Sequence, residues 1–97
     1  MMSIHVLAEV RIEELSRFLE VFGDEGLAKR REHGSRGATV YEPQDDTGRV
    51  LVLLEFDSTD AYDSFRADET APPIMRKGGA QGPPTFTVLR EVGRFDS

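Results

Sequence analysis

The chain has no cysteine and no tryptophan among its 97 residues. Without cysteine there are no disulfides, no thiolate nucleophile and no sulfur-ligated metal. Basic charge is also scarce, since 12 lysines and arginines face 18 acidic residues for a net charge of −6. That balance lacks the basic face needed to offset phosphate, so nucleic acid is not an expected partner. No apolar run approaches the roughly 20 residues of a membrane span, and the N-terminus lacks the basic-then-apolar layout of a secretory signal. These absences lead to the expectation of a cytoplasmic protein without membrane contact. The length fits one domain, residues 1–97, near the size at which apolar surface stays uncovered unless a partner covers it.

What is present is strand-like alternation. In Arg49 to Phe56, RVLVLLEF, the residues Val50, Val52, Leu54 and Phe56 form one apolar row, while Leu51 and Leu53 precede Glu55 on the other. A strand that hides much of both faces belongs in the middle of a sheet. Ser3 to Arg11 alternates as well, with Ile4, Val6, Ala8 and Val10 on one side. From Ile12 the period becomes helical through Leu15, Phe18, Leu19 and Phe22. Gly23 and Gly26 predict a break, after which Leu27 to His33 resumes as helix and ends at Gly34. The run Lys29, Arg30, Arg31 reads as cations complementing that helix's C-terminal dipole.

A short strand is predicted from Ala38 to Glu42, stopped by Pro43, and a turn over Gln44 to Gly48 leads into the Arg49 strand. Asp57 or Ser58 caps a second helix whose inward residues are Ala61, Tyr62 and Phe65. Thr70 to Lys77 reads as a further turn of helix. The glycine- and proline-rich Gly78 to Pro84 reads as a loop, serving as a lid or as a plain connection. Thr85 to Val92 is the last strand, with Phe86, Val88 and Val92 on its apolar side.

Proline is tolerated at sheet edges and strand ends, so Pro43, Pro83 and Pro84 put the second and fourth strands at the edges and the first and third in the centre. The expected fold is α+β, a ferredoxin-like βαββαβ unit with a four-stranded antiparallel sheet and its helices on one face. The other face carries Leu7, Tyr41, Leu51, Leu53 and Leu89. Burying such side chains is worth about 1.5 to 3 kcal/mol each. The expected remedy is a homodimer in which two sheets pack face to face.

The element order, together with AEVRIEELSRFLEVF from Ala8 to Phe22 and LLEFDSTDAYDSF from Leu53 to Phe65, resembles the antibiotic biosynthesis monooxygenase-like branch of the dimeric α+β barrel superfamily. The resemblance implies a dimeric barrel, and activities that include cofactor-independent oxidation of polycyclic phenols or anthrones, haem degradation, and quinone and aldehyde chemistry. In haem-degrading members an Asn follows the Ala-Glu of the first strand and a Trp is needed; here Val10 follows Ala8 and Glu9, and there is no Trp. Family cavities between sheet and helices imply an apolar site here, suited to an aromatic ring. No cofactor is expected.

Three residues are the candidates for catalysis. His5 is the acid-base candidate on residue type alone and faces away from the helices, or is simply a half-exposed histidine near a strand end. Glu55 shares that face with Glu9, and the two carboxylates either raise each other's pKa or form ion pairs with Arg11, Arg49 or Arg90. Tyr41 and Tyr62 either hold a phenolic ligand or are ordinary core tyrosines. Leu7, Glu9, Leu51, Leu53, Tyr62 and Leu89 are the candidate ligand contacts. His33 reads as a capping cation, and the histidine and carboxylate spacing gives no metal site. Two functions remain open: a monooxygenase, or a non-catalytic ligand-binding or interaction module on the same dimer.

Overall fold

The computed structural model describes residues 3–97. The elements run β1 (Ile4–Ile12), α1 (Leu15–Phe22), α2 (Glu25–Glu32), β2 (Ser35–Tyr41), β3 (Arg49–Phe56), α3 (Thr59–Ala67), α4 (Ala71–Lys77) and β4 (Ala80–Leu89). The strands form one antiparallel sheet in the order β2-β3-β1-β4, which is the arrangement the prolines predict. The fold is α+β and ferredoxin-like, with the helices on one face.

Alternation decides which face that is. Val6, Ala8, Val10 and Ile12 of β1 and Val50, Val52, Leu54 and Phe56 of β3 are buried together with Phe18 of α1 and Tyr62 of α3. Phe56, Val6 and Val50 are sealed from solvent completely. Local signals set the helix ends. Ser58 Oγ accepts from the Ala61 amide at 3.1 Å and caps α3. Gly34 takes a φ of +77° just after α2, a conformation that favours glycine.

Three sequence expectations need correction. Ile12 belongs to β1, and its buried side chain extends the apolar row of the strand. The Gly78 to Pro84 segment is strand from Ala80 onward. Its register with β1 explains how: Glu9 pairs with Thr85 and Arg11 with Gln81, leaving Gly82, Pro83 and Pro84 opposite Val10 alone. In such a bulge on an edge strand the prolines have no ladder hydrogen bond to donate, and Gly82 turns the chain at a φ of +84°. Finally, β4 stops at Leu89, so Val92 is outside it and is 87% exposed, while Val88, within the strand, is also exposed.

Candidate functional site

The pairing of β1 with its two neighbours lays the outward residues of the sheet in rows. Glu55, His5 and Leu89 form one row; Thr39, Leu53, Leu7 and Thr87 the next; Tyr41, Leu51, Glu9 and Thr85 the third. His5 therefore stands directly across from Glu55. Glu9 does not meet Glu55, because the Leu7 and Leu53 row lies between them. Instead Arg49 Nη1 donates to Glu9 Oε1 at 3.4 Å, one of the ion pairs open to it from the sequence. Arg49 also lies 3.7 Å from Asp46, whose carboxyl is held below the usual range mainly by the hydrogen bond from Arg11. Tyr41 and Leu89 are 54% and 37% exposed, at the margins of this face.

Tyr62 is on the opposite side of the sheet. Its ring packs against Phe56 and Phe86, and its hydroxyl accepts from Arg66 Nη1 at 3.0 Å. It lines neither of the two hollows described next.

Between the sheet and the helices is an apolar cavity of about 70 Å³, whose walls include Ala8, Val52, Phe18, Phe65, Met75 and Phe86. A second hollow, a groove of about 450 Å³, runs between α4 and the bulge of β4. The two hollows share Phe65, Ala71, Met75 and Phe86 and so lie side by side. Lys29 and Arg30 of α2 also border the cavity, through the apolar parts of their side chains.

Arg30 is the residue that sequence reasoning missed. Read as a surface capping cation, it is only 7% exposed, and its guanidinium carbon sits 3.7 Å from the centre of the Phe22 ring. Its Nη1 donates to the Phe22 carbonyl at 3.0 Å, closing the end of α1. A Cβ on Gly26 would come within 3.2 Å of that nitrogen, so the bare glycine makes the room. Burial pulls the guanidinium pKa down to about 10, with a smaller push from Arg31. It is still a cation at neutral pH. The signal in the sequence was Gly26 one turn before Arg30, in a helix with few apolar residues to fill its inner side.

His33 does more than cap α2. Its Nδ1 is 2.9 Å from Ser64 Oγ and its Nε2 is 2.8 Å from Asp68 Oδ2. Glu32, His33 and Asp68 bring donor atoms within 4.8 Å of one another, a spacing that suits a cation. Lys29 already supplies one, at 2.8 Å from Glu32 and 3.1 Å from Asp68. Its ammonium is raised above its usual range chiefly by the hydrogen bond to Glu32, and then by that to Asp68. The cluster is an ion-pair network that ties α2 to the α3–α4 turn.

A ferredoxin-like sheet with an apolar hollow under its helices and an open, partly apolar second face places the chain among small α+β domains. The family can be stated more narrowly. Residues 1–71 match the sequence model of the antibiotic biosynthesis monooxygenase family, and the chain belongs to it. The fold is similar to that of SnoaB, a cofactor-independent oxygenase from Streptomyces nogalater, with 11% identity, a TM-score of 0.77 and 100% of both chains covered. A putative antibiotic biosynthesis monooxygenase from Caulobacter crescentus CB15 is 19% identical, with a TM-score of 0.72 over 94% of this chain and 91% of that one. Rv0793 from Mycobacterium tuberculosis is 20% identical, with a TM-score of 0.68 over 96% and 98%. Among curated proteins none matches by sequence. No helix among the described residues is long and apolar enough to cross a membrane.

Proposed function

We propose that the protein is a homodimer that takes an aromatic or otherwise apolar small molecule into the hollow between its sheet and helices. The carrying observation is that hollow, with its apolar walls and an adjoining groove. The open sheet faces pack against each other in the dimer, with Leu7, Leu51, Leu53 and Leu89 as contacts and Glu9 held by Arg49. Tyr62 acts from the core by positioning Phe86 on the cavity wall.

Titration calorimetry with naphthalene-type ligands tests this. Ala71 borders both hollows, so Ala71→Leu is expected to weaken binding at least tenfold. Equal affinity in the two proteins rules out the cavity.

A second reading is favoured by the placement of His5 opposite Glu55. In it the protein is an oxidoreductase, a cofactor-independent monooxygenase working inside the dimeric barrel. His5 or Glu55 removes a proton from an activated carbon of an anthrone-like substrate, and Tyr41 holds its phenolic oxygen. Dioxygen then delivers one atom to that carbon, the other leaves as water, and the substrate's methylene becomes a carbonyl. Oxygen uptake with a panel of anthrones and hydroquinones tests it. If His5→Ala, Glu55→Ala and Tyr41→Phe all leave uptake unchanged, this assignment is wrong.

A further inference from the structure

We propose that Ser64 is an activated nucleophile with His33 as its base, and that the pair, on the surface where α2 meets α3, cleaves aryl esters by way of an acyl-serine. This activity is separate from the hollow and from the barrel interior.

Ser64 of α3 and Asp68, the residue that ends it, are four positions apart, one helical turn, so both side chains reach the imidazole of His33. The ionised Asp68 carboxylate only accepts. It takes the amide and hydroxyl of Thr70 on Oδ1 and the Lys29 ammonium on Oδ2, so in its 2.8 Å contact with His33 the ring N–H at Nε2 is the donor. A neutral imidazole with its proton on Nε2 carries its lone pair on Nδ1, which is 2.9 Å from Ser64 Oγ. The Ser64 hydroxyl therefore donates to His33.

The ring nitrogens are used in the reverse order from that of the serine proteases, but the roles are the same: a nucleophile on a base, and the base held in one tautomer by a carboxylate. A plain tie between α2 and α3 would be met by the contact to Asp68 alone. The His33 and Asp68 side chains are only 15% and 17% exposed, and the Phe65 ring stands edge-on to the imidazole at 5.9 Å, whereas Ser64 is open to solvent. The base is sheltered and the nucleophile can be reached.

In the first step Oγ bonds to the ester carbonyl carbon while its proton passes to Nδ1. The bond from that carbon to the aryl oxygen then breaks, the oxygen keeping the electron pair and taking the proton from Nδ1. Water next attacks the acyl-serine, gives a proton to Nδ1 and releases the carboxylic acid, and Ser64 recovers its proton. Ser64 lies within α3, so its own amide is committed to the helix and the oxyanion is left to water. Esters that react on those terms have a leaving group that departs readily, a phenol.

The test follows p-nitrophenyl acetate hydrolysis by the full chain, with diisopropyl fluorophosphate as a covalent trap. Wild type is expected to hydrolyse the ester faster than buffer and to carry the trap on Ser64, as located by peptide mass spectrometry. Ser64→Ala is expected to lower the rate by about a hundredfold and to take up no trap there. Long-range proton–nitrogen NMR correlations at mildly alkaline pH are expected to show the Nε2–H tautomer of His33 in wild type and a shift toward Nδ1–H in Asp68→Asn, which marks Asp68 as a positioning residue and not just a tie. A wild-type rate equal to that of buffer, a rate unchanged in Ser64→Ala, no adduct on Ser64, or an Nδ1–H tautomer in wild type overturns the proposal. Ser64 is exposed, so its alanine variant keeps the fold and decides even if Asp68→Asn does not.

Discussion

His33 Nε2 lies 2.8 Å from Asp68 Oδ2, joining the residue that ends α2 to the residue that ends α3. The same carboxylate receives Lys29 at 3.1 Å and, through Oδ1, the amide and hydroxyl of Thr70 at 2.9 and 2.6 Å. One side chain thus holds the helices in place over the sheet and sets the start of α4. The donors from Thr70 first, and then from His33 and Lys29, keep the Asp68 carboxyl well below the usual carboxylate range.

Asp68→Asn is therefore expected to destabilise the fold in a pH-dependent way. A carboxyl whose pKa is lower in the folded state contributes its full stabilisation above the unfolded value of about 3.9, and loses it as pH falls through the folded value. The gap between wild-type and variant urea midpoints should be widest near pH 7 and close steadily as pH falls below about 5. A gap that stays constant down to pH 2 would mean that the charge of Asp68 contributes nothing.

Two glycines allow a comparison within one strand region. Gly34 has a φ of +77°, and an added Cβ would also meet Asp57 Oδ2 at 3.1 Å, whereas Gly37 has open space around it. Gly34→Ala is expected to cost about 1 to 2 kcal/mol, the penalty of a left-handed L-residue. Gly37→Ala is expected to be neutral or mildly stabilising, since glycine in a strand loses more chain entropy than alanine. Chemical denaturation of the two variants checks both signs.

Phe56 anchors the core at the end of β3, packing against Tyr62 and Phe65 with ring centres 5.7 and 5.5 Å away. Phe56→Ala is expected to cost about 3 to 5 kcal/mol, the range for losing a buried aromatic side chain. A loss below about 1 kcal/mol in urea unfolding would show that α3 closes over the vacancy.

The residues differ in how much of this was legible beforehand. The two central strands announced themselves, β3 by a nearly unbroken apolar run and β1 by its alternation, and the prolines marked the edges for a chemical reason, a missing donor. Register was not legible. Whether Glu55 meets His5 or Glu9 depends on a shift of a few residues between β1 and β3, which lie far apart in the chain and have no hairpin between them to fix it. Pro83 and Pro84 hid a strand because a bulge can absorb them. Arg30 was hard to read for a different reason: a Lys-Arg-Arg run does not itself say which cation folds inward, and the one local hint, Gly26 a turn earlier, gains its meaning only when α2 packs on α1 and brings the guanidinium over Phe22.

Leu53 stands beside Leu7 at the middle of the open sheet face. In the proposed dimer it meets the partner sheet, so Leu53→Glu places a charge in an apolar contact and is expected to give the mass of one chain in size-exclusion chromatography with light scattering. Wild type is expected to give twice that mass at every concentration measured. A wild-type mass equal to that of one chain removes the barrel, and with it the second functional reading.

The sheet itself separates the two places where a ligand has been proposed, which makes them independently testable. Val6 and Ala8 point toward the helices while His5 and Leu7 point the other way, so a change at His5 alters the open face without entering the hollow bordered by Ala71. Ala71→Leu is accordingly expected to weaken naphthalene-type binding while leaving the dimer mass unchanged, and His5→Ala to leave that binding at the wild-type level. If the barrel interior carries out acid-base chemistry, His5→Ala lowers oxygen uptake by about a hundredfold or more, the usual contribution of a positioned proton-transfer group. A drop in binding of the same size in both variants would mean that the two faces communicate through the sheet, and neither residue could then be assigned to one side of it.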